Sequence, residues 1–245
     1  MTPAEVRAEL DRFVRLGLQQ GFVLSGQTPT IYELGQGRRR VAPPKPSAVQ
    51  RQTLIGRFAT VPEYRFLLRT GDFLAALADG SILQASYLFY RDEVISHRLA
   101  FFPCPVVFEL DDLEAATLDE VVDAALAGSL ATIGSDDAST DDLSSLRLTG
   151  PWRFDFCREP APQHPVSHCH VGVSACRIPV NGPLSPGHFF RFVFKNFLPE
   201  VWARVGGLRD WPMQDLGETI RHPEESLEVH LSWRRGGRSP DPAVA

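Results

Sequence analysis

Lysine is nearly missing from this chain: of its 25 lysine and arginine residues only Lys45 and Lys195 are lysine. A GC-rich coding genome accounts for that excess of arginine without any selection for phosphate binding. Acidic residues outnumber basic ones, giving a formal net charge of -5, which excludes DNA or RNA binding through global basicity. No run of about 18 apolar residues is present to cross a bilayer, and the opening MTPAEVRAELDRF has no apolar signal core. The expectation is a cytoplasmic protein with no membrane partner. Cysteine is scarce too. Cys104, Cys157, Cys169 and Cys176 form no CxxC pair, which excludes a zinc ribbon, and in the cytosol they stay reduced. The chain also lacks a Walker loop, a GxGxxG fingerprint, a Gly-x-Ser-x-Gly elbow and HExxH, setting aside the common NTPase, dinucleotide, hydrolase and zincin classes.

What remains is an ordinary globular composition, 43% hydrophobic and 22% charged, enough for a sizeable core. Thr2, Pro3 and Glu5 make a capping box with proline at the first helical position, and Val6, Leu10, Phe13 and Val14 recur at helical spacing toward Gly21. Residues 25–53 are polar and broken by Gly and Pro; with Arg38-Arg39-Arg40 and Pro43-Pro44-Lys45-Pro46 they read as a solvated loop, with a phosphate-contacting basic loop as the alternative. Pro62 to Leu68 predicts a short helix. Two apolar runs then flank Asp79-Gly80, a hairpin signal in which both turn residues need positive φ. A second turn at Arg91-Asp92 leads into Val94 to Phe102, completing a three-stranded meander that Pro103 and Pro105 end.

Residues 109–147 carry eleven acidic side chains, from Glu109 to Asp142, against one basic residue, Arg147. Thr117 to Glu120 is another capping box, and Val121, Val122, Ala125 and Leu126 give the helix an apolar face. We read the segment as an acidic surface insertion between strands of one sheet; its acids flank a loop without metal-ligand spacing. Strands follow at Trp152–Phe156, His168–Val173 and Cys176–Val180. Ser185 and Pro186 then start a helix, His188–Leu198, apolar nearly all round and therefore buried. Pro199 ends or kinks it. A last strand is expected at Leu227–Trp233.

Strands in runs, not alternating with helices, predict an α+β fold: a mostly antiparallel sheet with the Pro186–Leu198 helix buried on it. The expected organisation is a single α+β domain over 1–236, including the 109–147 insertion, and a disordered tail over 237–245.

The stretch His164–Leu198 concentrates the chemistry. It holds four of the seven histidines. On a strand, His168 and His170 point to one face and Cys169 to the other. Paired imidazoles with an arginine suit proton transfer and oxyanion stabilisation without a metal, so His168, His170 and Arg177 are the expected catalytic set. His97, Arg98, His164, Ser167 and Asn181 are expected to complete the binding surface, and Asp155 is a candidate partner for Arg177. No metal and no cofactor are expected, because neither His164 nor Cys176 lies at a fixed ligand spacing that would give a tightly held zinc a third ligand. The expected partners are RNA or a nucleotide, or a protein. The rival reading is a binding module without turnover at the same histidine-lined cleft; both rings exposed, with Arg177 in reach of a common anion, would favour turnover, and rings sealed under the sheet the binding or structural reading. The phenylalanines of the 188–198 helix read as core, with a base-stacking platform as the alternative.

The phrases ISHRLAFFPCP, WRFDF and HPVSHCHVGVSACRIPVNGPLSPGHFFRFVFKNF resemble a bacterial family catalogued as domain of unknown function 2290, over roughly Asp79 to Phe197 and more weakly toward the N-terminus. That resemblance implies no activity. Pro165 to Gly172, with its adjacent histidines before a helix, more faintly resembles toxin-like proteins of prokaryotic toxin–antitoxin pairs, which implies a toxin or phage-defence setting.

Overall fold

The computed structural model describes residues 1–44, 60–133, 150–160, 165–173, 175–219 and 230–232. Nine strands form one sheet: β1 (Val23–Gly26), β2 (Thr30–Gly35), β3 (Arg38–Ala42), β4 (Ala75–Leu77), β5 (Ile82–Tyr90), β6 (Glu93–Phe102), β7 (Trp152–Cys157), β8 (Ser167–Val171) and β9 (Ile178–Pro179). The spatial order is β1-β4-β5-β6-β7-β8-β9, and the β2–β3 hairpin joins through β3 to β5. Every pairing among these described strands is antiparallel. The fold is α+β, as the clustering of strands in sequence implies. No described helix is long and apolar enough to cross a membrane.

Local chemistry explains the frame. Helix α1 (Pro3–Gln19) starts on the Thr2 capping box: Thr2 Oγ1 accepts from the Glu5 N–H while Glu5 Oε2 accepts from the Thr2 N–H. The β4–β5 connection at Asp79-Gly80 forms as expected, but only Gly80 has positive φ, 78°. Asp79 instead accepts from the backbone and hydroxyl of Ser81, an Asx turn that relieves it of the left-handed conformation. At the β5–β6 turn the left-handed residue is Arg91.

The segment expected as a polar loop is a hairpin. Arg38, Arg39 and Arg40 lie on β3, paired with β5 at Tyr90, Phe89 and Leu88, and Arg39 donates to Asp92. The Gly35-Gln36-Gly37 turn, with positive φ at all three residues, reverses the chain. Its flanks, TIYE and RRRV, carry enough β-branched and aromatic residues to pair once β5 offers an edge. The other half of that loop, 45–53, lies outside the described residues.

The sheet has two differently covered faces, and alternation assigns every residue to one of them. One face carries Leu83, Ala85, Tyr87 and Phe89 of β5, Leu99 and Phe101 of β6, Phe154 of β7 and Cys169 of β8. These pack with α1 and with α4 (Pro186–Phe197) in the main core. Helix α4 buries Phe189, Phe190, Val193 and Phe194, while Lys195 and Asn196 are exposed. Its burial is one-sided, not all-round. Short helices α5 (Pro199–Arg204) and α6 (Gly206–Arg209) follow Leu198.

Among the described residues, two helices cover one end of the second face. There α2 (Val61–Thr70) and α3 (Leu118–Ile133) place Tyr64, Leu67, Val122 and Leu126 over Ile82, Ala100 and Phe102. Arg65 and Arg69 of α2 clamp Asp119 and Asp123 of α3. The acids of this helix thus have an intramolecular role at its start, and its apolar face is part of a core. On the same face, the rows Gln84–Ala100–Arg153–His170 and Ser86–Arg98–Asp155–His168 run across four strands, the first passing under the cover at Ala100. Residues 134–149 and 233–245 lie outside the described residues. So does most of the expected strand at 227–233, of which Leu231 bridges Val180 in parallel.

Candidate functional site

Two positions of β7, Arg153 and Asp155, and two of β8, His168 and His170, meet on the second face. They do so because WRFDF and SHCH both alternate, and because the register sets Arg153 opposite His170 and Asp155 opposite His168. Arg98 arrives from β6 opposite Asp155.

The contacts form a continuous chain. Asp155 Oδ1 accepts from Arg98 Nε at 3.1 Å, and Oδ2 accepts from Arg153 Nε at 2.8 Å. His170 Nε2 lies 3.4 Å from the same Oδ2 and 3.0 Å from His168 Nε2. His168 Nδ1 sits 3.0 Å from the Pro165 carbonyl oxygen. Only an N–H can meet a carbonyl there, so Nδ1 carries the proton and Nε2 presents its lone pair inward. The N–H on His170 Nε2 then points between His168 and Asp155.

Burial grades the site. His168 and His170 are 7% and 2% exposed, the Asp155 and Arg153 side chains 16% and 15%, and Arg98 61%. Burial pushes the Asp155 carboxyl up, but the bond from His170 and the charges of Arg98 and Arg153 outweigh it and hold the group well below the usual carboxylate range. Burial holds His168 below the ordinary histidine value despite the Pro165 carbonyl, and the nearby Arg177 charge adds to that. Burial likewise lowers Arg153, though Asp155 opposes it. The centre at neutral pH is therefore a carboxylate, neutral His168 and cationic arginines.

The fold brings together His168, His170 and Arg98 of the expected set, and leaves Arg177 exposed one residue before β9. Asp155 pairs with Arg98 and Arg153 instead of Arg177. His164 lies outside the described residues. His97 and Ser167 project to the opposite face, where each fastens the loop before α4. His97 Nε2 accepts from the Leu184 N–H at 2.9 Å, and Ser167 Oγ donates to the Gly182 carbonyl. Asn181 belongs to the same loop, its N–H bonded to Leu231. Strand parity explains the split: His97 neighbours Arg98 in sequence, and neighbours on a strand face opposite ways. Arg153 is the residue that sequence reasoning missed. The signal was its i, i+2 spacing to Asp155 in WRFDF, which puts both on one face.

His97 gives the fold an acid limit. Burial lowers it to about 4, so the unfolded chain takes up a proton below about 6.5 while the folded chain does not. Its stability contribution is full above pH 6.5 and falls as pH drops toward 4, by on the order of 3 kcal/mol. Urea midpoints of wild type and His97→Gln, whose amide oxygen can still accept from Leu184, should converge as pH falls from 7.5 to 5. Parallel pH curves would remove His97 from this role.

Neither the curated proteins nor the solved structures offer a match to the chain. Residues 28–233 match the family described as uncharacterized conserved protein (DUF2290), and the chain belongs to that family.

Proposed function

We propose that the second-face centre performs phosphate-ester chemistry on RNA or a nucleotide, in a toxin or phage-defence setting. The observation that carries this reading is the chain Asp155–His170–His168, a carboxylate orienting an imidazole that in turn contacts a second one. Both contacts run through His170 Nε2, so the carboxylate fixes the imidazole pair, as the orienting group of an acid–base site does. His168, with its Nε2 lone pair directed inward, is the base. Arg98 on the exposed rim and Arg177 near His168 supply cationic donors for a phosphoryl oxygen. Tag-free protein incubated with RNA oligonucleotides and mononucleotides is expected to turn one of them over. His168→Ala should lower the rate at least about 100-fold, within the range for loss of a general base, and Arg98→Ala should mainly raise KM. Absence of turnover with every RNA and nucleotide would overturn the reading.

The low exposure of both rings favours a second reading, a module that binds its ligand through the Arg98 rim without turnover. Saturable binding of an RNA or nucleotide by wild type, weakened by Arg98→Ala and unchanged by His168→Ala, would select it.

A further inference from the structure

We propose that His168 Nε2, His170 Nε2 and an Asp155 carboxylate oxygen form a site for one divalent transition-metal ion, completed by a phosphate or phosphonate anion. The three ligand atoms lie within 4.8 Å of one another. Two of the separations, 3.0 Å between the imidazole nitrogens and 3.4 Å from His170 to Asp155 Oδ2, match the edges of a coordination polyhedron. Metal–ligand bonds of about 2.1 Å put neighbouring ligands about 3.0 Å apart in an octahedron and about 3.4 Å apart in a tetrahedron. Mixed imidazole and carboxylate donors select zinc, cobalt or iron over magnesium or calcium.

A second observation points the same way. The Nδ1–H of His168 is spent on the Pro165 carbonyl, the outer bond that metal-binding imidazoles ordinarily make and that turns the other nitrogen toward the ion. His170 becomes a ligand by moving its proton from Nε2 to Nδ1, with no net charge change. The metal-free expectation rested on the lack of a third ligand at a motif-like spacing. The register of β7 against β8 supplies one from 13 residues before His168.

Charge determines what else the site takes. With neutral imidazoles, Asp155 contributes −1 and Arg98, Arg153 and the nearby Arg177 +3, a sum of +2. A dication alone raises this to +4 beside buried imidazoles, which opposes binding. A phosphate dianion on the metal's open position returns the sum to +2 and meets Arg98. Cation and anion therefore bind with positive coupling, each strengthening the other by the same factor. The anion half rests on the reading that the site takes phosphate esters, but not on His168 as its base, because the Nε2 lone pair that binds the ion cannot also take a proton; the cation half rests on neither.

The test is a visible-absorption titration of tag-free, full-length protein with Co2+, run with and without methylphosphonate. The expected result is a ligand-field band saturating at one Co2+ per chain, with affinity raised about tenfold by methylphosphonate. His168→Ala and Asp155→Asn should each weaken it at least about 100-fold. No band for wild type at millimolar Co2+ in either condition overturns the proposal, and so does a band that both variants retain, which would put the ion elsewhere. An affinity indifferent to methylphosphonate overturns the anion half. RNA or nucleotide turnover in EDTA by a protein that binds no Co2+ would keep the phosphate-ester reading and sink the metal. Co2+ binding without turnover of any substrate would do the reverse.

Discussion

Asp155→Ala is expected to destabilise the folded protein by about 3–5 kcal/mol, the cost typical of removing one member of a buried ion pair. The carboxylate joins Arg153, Arg98 and His170, and the first of these is as buried as Asp155 itself. Without it, the Arg153 guanidinium keeps the desolvation that already lowers its proton affinity, and it stays near the like charge of Arg98. Arg98 is mostly exposed, so the surface half of the network is worth far less. Arg98→Ala should cost below about 1 kcal/mol. The comparison is made by urea unfolding of the two single variants and of the pair Arg153→Met with Asp155→Leu. Replacing both charges by apolar groups should recover most of the loss, because no charge is then left buried. A loss for Asp155→Ala no larger than that for Arg98→Ala would mean that the carboxylate does not organise the site.

That centre shows how far the sequence carries. Alternation within WRFDF and SHCH was enough to place Asp155, His168 and His170 on strand faces. It could not say which faces meet, since that depends on β7 lying between β6 and β8 and on the register of each pair. The same uncertainty put His97 in the expected site, although a single residue of parity sends it to the other face. Capping boxes at Thr2 and Thr117, the Ser185–Pro186 start and the Asp79–Gly80 turn were legible because they are decided within four residues. The β2–β3 hairpin was not. Its polar strands gain their stability from the edge of β5, which begins about 40 residues after β3 ends, and no local pattern announces that edge. The apolar face of α3 and the helix at Pro62–Leu68 were both visible, but their pairing was not, because α2 and its Arg65–Arg69 clamp lie about 50 residues upstream of α3.

Phe190→Ala is expected to cost about 3–5 kcal/mol, as full truncation of a core phenylalanine does, and to leave the denaturant m-value unchanged. Phe190 is 1% exposed. Its ring stacks on Phe13 of α1 at 3.9 Å and meets Trp211 edge-on at 5.7 Å, so it joins the first helix, the fourth and the C-terminal segment in one contact. Such pairs add roughly 0.5–1.5 kcal/mol beyond area burial. Gly187, one turn earlier, tightens the joint: a Cβ there would run into the Pro212 carbonyl oxygen, leaving little freedom for α4 to slide into the space vacated. Phe192, on the edge of the same helix, is only half-buried against Trp152 and Phe154. Phe192→Ala should therefore cost markedly less, near 1–2 kcal/mol, in line with the smaller apolar area it removes from water. Equal losses for the two variants, measured by urea unfolding at pH 7.5, would contradict the one-sided burial of α4. Phe190→Leu, which keeps most of the volume, should recover more than half of the loss. The consequence reaches the site through the loop before α4, since Leu184 is tied to His97 and Tyr87 and Gly182 to Ser167 at the start of β8. A loosened α4 releases the strand that carries His168 and His170, so Phe190→Ala should also weaken Co2+ binding, whereas Phe192→Ala should leave it unchanged.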